Sequence, residues 1–304
     1  NTWNNHSVLQ HVLLPQGFGI NLSFKQQGRS NEEFLTQAFD AKNKDNLCKI
    51  VLGDHSLDGS YTSLSIDAGT INFKIQSAHI GNDLVILIDP SLLPKNKIKL
   101  VLETMLLWNS KGSINRHQAM LKAVLPRKMV NIFSTETEHV DDPYLLTKTP
   151  YLCFWLNKKI GISTGIKRSI HQIESIINLE KKRMRDRANI YGELSEIYSA
   201  IESSLGWSLI FEPKFNRVIS TADRTNFERT EGQYFLNWNN FYLSYLSGIF
   251  SQDIAYANMI ELLQNQEFGN YSINNKKLDR IDYIIMPTIP IGSVLVKEIY
   301  KMHP

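Results

Sequence analysis

No run in this sequence approaches the ~18 consecutive apolar residues that would span a bilayer, so neither a membrane helix nor a membrane partner is expected. Cysteine is scarce. The 304 residues hold two, Cys48 and Cys153, both inside apolar, strand-like runs. That excludes a disulfide-built scaffold and favours two free core thiols. Charge of one sign is lacking as well: 33 basic and 30 acidic residues leave a net +3, too little for a dedicated nucleic-acid binder. The one basic run, Lys181 to Arg187 ("KKRMRDR"), has acidic residues on both sides and reads as the solvated face of a long helix. No set of His, Cys and carboxylates has metal-ligand spacing. His6 and His11 lie five apart in a strand-like segment and would face opposite sides. No metal or other cofactor is therefore expected. The chain opens Asn1-Thr2-Trp3 without Met or a signal-peptide pattern, as a trimmed or processed start would. Sequons at Asn5, Asn21 and Asn270 are no more than chance supplies.

What is present is a change of pattern near residue 165. Before it, short alternating or apolar runs are separated by turn signals. "HSVLQHVLLPQGFGINLSFKQ" reads as two strands broken at Pro15-Gln16-Gly17. "SYTSLSIDAGTINFKIQSAHIGNDLVILIDPSLL" reads as three, with turns at Asp67-Ala68-Gly69 and Gly81-Asn82-Asp83. About a dozen short strands with no useful helix between them predict an antiparallel sandwich over residues 1–164. After it the pattern is helical. Ser169 and Gln172 have capping-box form and open a long helix to about Leu205, kinked near Gly192, with a solvent-bridging middle. Its second half carries an apolar stripe, Leu194, Ile197, Tyr198, Ile201 and Leu205. A loop around Pro213 follows, then helices near 239–249, 253–264 and 290–301.

The helix near residue 239 is entered through "YFLNWNNFYLSYL", where Asn237, Asn239 and Asn240 crowd its start. The three amides are open to three readings: a helix cap, a sugar-binding ledge, or the remains of carboxylates. The surrounding segments bear on the choice. "LGWSLIFEP", "RVISTADRTNF", "GQYFLNWNNFYLSYL", "DIAYANMIELL" and "IMPTIPIGSVLVKEIY" occur in that order between residues 205 and 300. They resemble, in the same order, motifs of glycoside hydrolase family 63 and its mannosylglycerate-hydrolase-like and trehalase-like relatives, the clan of (α/α)6-toroid glycosidases. "WNNHSVLQHVLLPQGFGINL", "DGSYTSL" and "TPYL" are similar to parts of the β-sandwich that precedes the toroid in that family.

The resemblance implies a multi-domain chain, β then α: an antiparallel β-sandwich (1–164), followed by a linker helix and the first helices of a toroid (165–304). It implies a carbohydrate partner, an α-linked oligosaccharide or glycoside, met by Trp207, Arg224, Asn237, Trp238 and Asn239. Family members invert α-linked sugars with an acid and a base ~6.5–9.5 Å apart. Both lie in later helices, so the resemblance implies that this chain stops before them. No residue here is assigned as catalytic. The departures are polar: Asn237 and Asn239 stand where the family has Asp, as does Ser208, and Asn226 replaces a Trp. Phe241, Tyr256, Asn258, Gly292 and Glu298 are among the positions kept. An amide offers one acceptor and one donor group where a carboxylate accepts at both oxygens. Sugar binding is therefore expected to be weakened and hydrolysis absent from these 304 residues, which leaves three readings: the N-terminal part of a glycosidase acting on or binding α-linked carbohydrate whose later helices lie elsewhere, a non-catalytic binding or scaffold relative, or a relic with no ligand. Asp141, Asp142, Asp223, Glu228 and Glu231 read as surface charge.

Overall fold

The computed structural model describes residues 7–13, 17–27, 32–34, 48–68, 72–92, 98–107, 110–140, 149–212, 217–220, 239–264 and 291–303. The chain divides into two compact units, one of residues 1–54 and 59–190 and one of residues 55–58 and 191–304. A region of two antiparallel sheets precedes a helical region, the order that the change of pattern near residue 165 predicts.

In the first unit, β1 (Ser7–Leu13), β2 (Phe18–Gln27), β3 (Glu32–Phe34), β8 (Ile98–Leu106) and β12 (Tyr151–Trp155) form a five-stranded sheet, with β8 between β2 and β12. The eight-stranded sheet runs in the order β4 (Cys48–His55), β5 (Tyr61–Ala68), β6 (Asn72–Ile80), β7 (Asp83–Leu92), β13 (Ile160–Thr164), β11 (Lys128–Ser134), β10 (Met120–Leu125) and β9 (Ser113–His117). Alternation sets which side chains go inward. Phe18, Ile20, Leu22 and Phe24 of β2, two apart, share one buried face, as do Phe73 and Ile75 of β6. The sheets meet through Phe24 and Phe73, whose ring centroids are 4.5 Å apart.

The β6–β7 hairpin closes on Gly81-Asn82, with Gly81 at φ 59°, a left-handed value that a two-residue hairpin loop needs and glycine supplies. Of the turn at Pro15-Gln16-Gly17 only Gly17 is described; of Asp67-Ala68-Gly69, Asp67 and Ala68 are the last residues of β5 and Gly69 lies outside the described residues. Cys153 is buried and in no disulfide, and of Cys48 only the backbone is described. The sequon at Asn21 is closed in the folded state, since its side chain is 0% exposed in β2.

The helix α1 (Ile170–Asn189) starts as its sequence predicts. Ser169 Oγ accepts from the Gln172 backbone N–H, and Gln172 Oε1 accepts from the Ser169 N–H. Its middle is not solvent-bridging. Ile173, Ile177, Met184 and Ala188 recur every three or four residues with one gap, which Glu180 fills, and this face packs over β5, β6, β7 and β13. Glu180 is reached by Arg183 at 2.6 Å. Gly161 of β13 permits the approach, because a Cβ there would lie 2.6 Å from the Ile173 Cδ1. Lys182, Arg183, Arg185 and Asp186 of the basic run are exposed.

The second unit continues through a 3₁₀ turn (Gly192–Leu194, φ +55° at Gly192) into α2 (Ser195–Ser208). The break falls where the sequence places a kink. The stripe beyond it is only partly used: Leu205 is buried, whereas Leu194 and Ile197 are 59% and 57% exposed. Leu194 sits in the 3₁₀ turn, so α-helical spacing does not carry it onto the buried face. A strand pair, β14 (Leu209–Glu212) and β15 (Arg217–Ser220), stands where a loop was expected. "LIFE" and "RVIS" are too short to show alternation, yet both are rich in β-forming residues. Then come α3 (Asn239–Ser247), α4 (Gln252–Gln264) and α5 (Ile291–Met302). Phe241, Ala255, Met259, Leu262, Leu295 and Ile299 make their common core. Gly292 lets α5 close on α3, since a Cβ would fall 2.9 Å from the Phe241 ring.

Candidate functional site

The last residues of α2 bring together the polar and aromatic groups of interest. Glu202 and Ser203 lie side by side on the helix and hold the inserted segment 55–58. Ser203 Oγ accepts from the His55 backbone N–H at 3.2 Å, and Glu202 Oε1 accepts from the Leu57 N–H at 3.4 Å. Gly206 leaves room for the imidazole, because a Cβ there would lie 2.5 Å from His55 Nδ1 and 2.9 Å from its Cγ. Trp207 then meets the His55 ring edge-on, with centroids 4.8 Å apart and planes at 71°. His55 Nδ1 is 2.8 Å from the Ser56 carbonyl. A carbonyl can only accept, so Nδ1 carries the proton.

Glu202, 3% exposed, is the one buried carboxylate among the described residues of this unit. Asp253 is exposed and Glu298 pairs with Lys301 at 2.7 Å. The site thus offers a half-buried indole, an imidazole with a fixed tautomer, and a carboxylate already engaged in holding backbone. Such a group can stack a sugar ring on its aromatic face and exchange hydrogen bonds at its edge.

Of the five residues expected to meet sugar, Trp207 is placed here. Arg224, Asn237 and Trp238 lie outside the described residues, as do Asp141, Asp142, Asp223, Glu228 and Glu231. Asn239 is the first residue of α3, and only its backbone is described. Asn240 answers its part of the question about the amides. Its Nδ2 donates to the Ser220 carbonyl at 2.7 Å, and its side chain is buried. The Ser220 N–H in turn donates to Asn258 Oδ1 at 2.8 Å, while Asn258 Nδ2 donates to the Ile254 carbonyl at 2.7 Å. Two buried amides, one on α3 and one on α4, thus clamp both backbone groups of Ser220 in β15. Neither a cap nor a sugar ledge describes Asn240.

His55, Glu202 and Ser203 were not anticipated. The one local signal is the turn after His55, where Gly59 has φ 72°. Nothing in the sequence joins that turn to a helix some 145 residues later. Ser208 donates its hydroxyl hydrogen back to the Ser204 carbonyl at 2.7 Å.

In the first unit a cavity of about 560 Å³ opens beside the start of α1, between Ile80, Ile166 and Ile176, with Lys167 and His171 on its rim. Its guanidinium is already committed: Arg168 bonds Asp83 at 2.8 Å and the Thr164 carbonyl at 3.0 Å.

No family model matches the chain, and no curated protein matches it.

Proposed function

We propose that this chain is a glycosidase-like protein of the family 63 type, a β-sandwich followed by the first helices of an (α/α) toroid, and that it binds α-linked carbohydrate without hydrolysing it. The observation that carries the reading is Trp207, half-buried and braced by His55 at the end of α2. An indole held by packing presents a rigid stacking face at little entropic cost. The clamp and the core add support: Phe241, Asn258 and Gly292, positions kept from the family motifs, serve helix packing. The family's sugar-facing carboxylates are replaced by Asn237, Asn239 and Ser208. Glu202 serves as an acceptor for backbone, and among the described residues of its unit no second carboxylate is buried.

The test is thermal unfolding with a panel of α-linked disaccharides. A ligand at 100 times its Kd stabilises by ~2.7 kcal/mol, a readily measured rise in Tm. The expected result is a sugar-dependent rise that Trp207→Ala removes while leaving the sugar-free Tm within a few degrees. No rise with any α-linked sugar, or a rise unaffected by Trp207→Ala, would refute binding at this site. Turnover of any α-glucoside or α-mannoside by residues 1–304 would refute the non-hydrolytic half.

A further inference from the structure

β4 ends the eight-stranded sheet, and among the described residues no strand lies on its outer side. An open edge of this kind is normally blunted by charge, proline, a bulge or brevity. β4 is eight residues long, and its centre carries Ile50, Val51 and Leu52, which are 37%, 53% and 56% exposed. Consecutive strand residues face opposite sides, so this edge is apolar on both faces.

We propose that the β4 edge pairs with β4 of a second copy of this chain, making a symmetric dimer with a sheet continuous across both copies. Symmetry narrows the register. A closed pair about a two-fold axis is isologous, so the two strands run antiparallel. Directly opposed side chains must share a face, so one residue sits on the axis facing its own counterpart. With Val51 there, Ile50 faces Leu52 and Leu52 faces Ile50, and all three exposed apolar residues meet apolar partners. With Leu52 on the axis, Ile50 would face Asp54; with Ile50 there, Val51 would face Lys49. The Val51 register also sets Lys49 opposite Gly53 and Asp54 opposite Cys48, so no like charges oppose. The Lys end of each strand then approaches the Asp end of the other. Self-complementarity of apolar residues and charge in one register is what favours a second copy over an unrelated strand.

The test uses the full chain in sedimentation equilibrium over a concentration series. Wild type is expected to associate reversibly to a dimer and no further. Val51→Lys places two ammonium groups face to face on the axis and should raise the dimer Kd by ~10-fold or more. Met129→Lys, on an exposed position of an interior strand, should leave it unchanged. A second variant guards against misfolding of the first. In a Cys48→Ser background, Val51→Cys should cross-link under mild oxidation, since opposed Cα atoms ~4.5–5.5 Å apart suit a disulfide. Met129→Cys should cross-link far more slowly. A wild type that stays monomeric, a dimer indifferent to Val51→Lys, or equal cross-linking at the two positions would overturn the proposal.

Discussion

The clamp on Ser220 yields a prediction that separates an amide from its near-isostere. Asn258 uses both halves of its side chain, accepting from the Ser220 N–H and donating to the Ile254 carbonyl. Ser220 is buried, so in Asn258→Ala its N–H loses a partner that water does not replace. A stranded buried donor costs about 1–3 kcal/mol. The Ile254 carbonyl lies within α4 and can still accept along the helix, so its share is small. Asn258→Asp keeps the acceptor and loses the donor. At neutral pH the new carboxylate would be buried and set against a carbonyl oxygen, at a cost at least equal to that of Asn258→Ala. Burial and that oxygen both raise its folded pKa above the unfolded one. The variant should therefore recover stability as pH falls through the folded pKa and lose it again as pH rises, which Asn258→Ala should not do. Because a chain of two compact units need not unfold in one step, the assay is hydrogen exchange of the peptide containing residues 217–220, with thermal unfolding alongside. Wild-type exchange in Asn258→Ala, or no recovery of Asn258→Asp in acid, would refute the two-handed role of this amide.

Gly206→Ala should cost about 1–3 kcal/mol by overpacking, because its Cβ meets the His55 ring at 2.5 Å; thermal unfolding and Trp207 fluorescence would both report it. Gly161→Val should loosen α1 from its sheet by a similar ~1–3 kcal/mol, since Ile173 lies in the way; the readout is faster hydrogen exchange in α1. Lys159, bonded to Glu174 at 2.9 Å and Asp89 at 3.1 Å, holds the Glu174 carboxyl below its ordinary value of 4.5. The stability it adds is present above the unfolded value and lost as pH falls through the folded one. Both partners are partly exposed, so Glu174→Gln should flatten the acid-side decline by about 0.5 kcal/mol or less, and less still in high salt.

Local chemistry was legible wherever it decides structure. Ser169 and Gln172 announced their reciprocal cap, Gly81-Asn82 its hairpin, and Gly192 its break, because each rests on neighbours within a few residues. The starts and ends of α3, α4 and α5 came within two residues for the same reason. What escaped depends on distance. The docking face of α1 looked solvated because Lys and Arg crowd the spaces between Ile177, Met184 and Ala188. Asn240 looked like a capping or ligand residue because its partner, Ser220, lies 20 positions earlier in a strand too short to notice. His55 with Ser203, and Leu57 with Glu202, could not be paired at all from sequence. Trp207 was singled out through resemblance, and the imidazole that braces it was not.

The place of β13 has a consequence for how the first unit is made. The strands β4–β7 and β9–β11 form two meanders, each built from near neighbours, and within the sheet only β13 pairs with both. A ribosome delivers β13 after all of them. Until residue 164 has emerged, each meander waits with an open border, and the platform that α1 will later cover is incomplete. Completion is thus a late, long-range event of the kind that slows folding and exposes borders to wrong partners. A nascent chain stalled before Ile160 should hold two half-sheets, and a chaperone that shields strand borders should matter most in that interval.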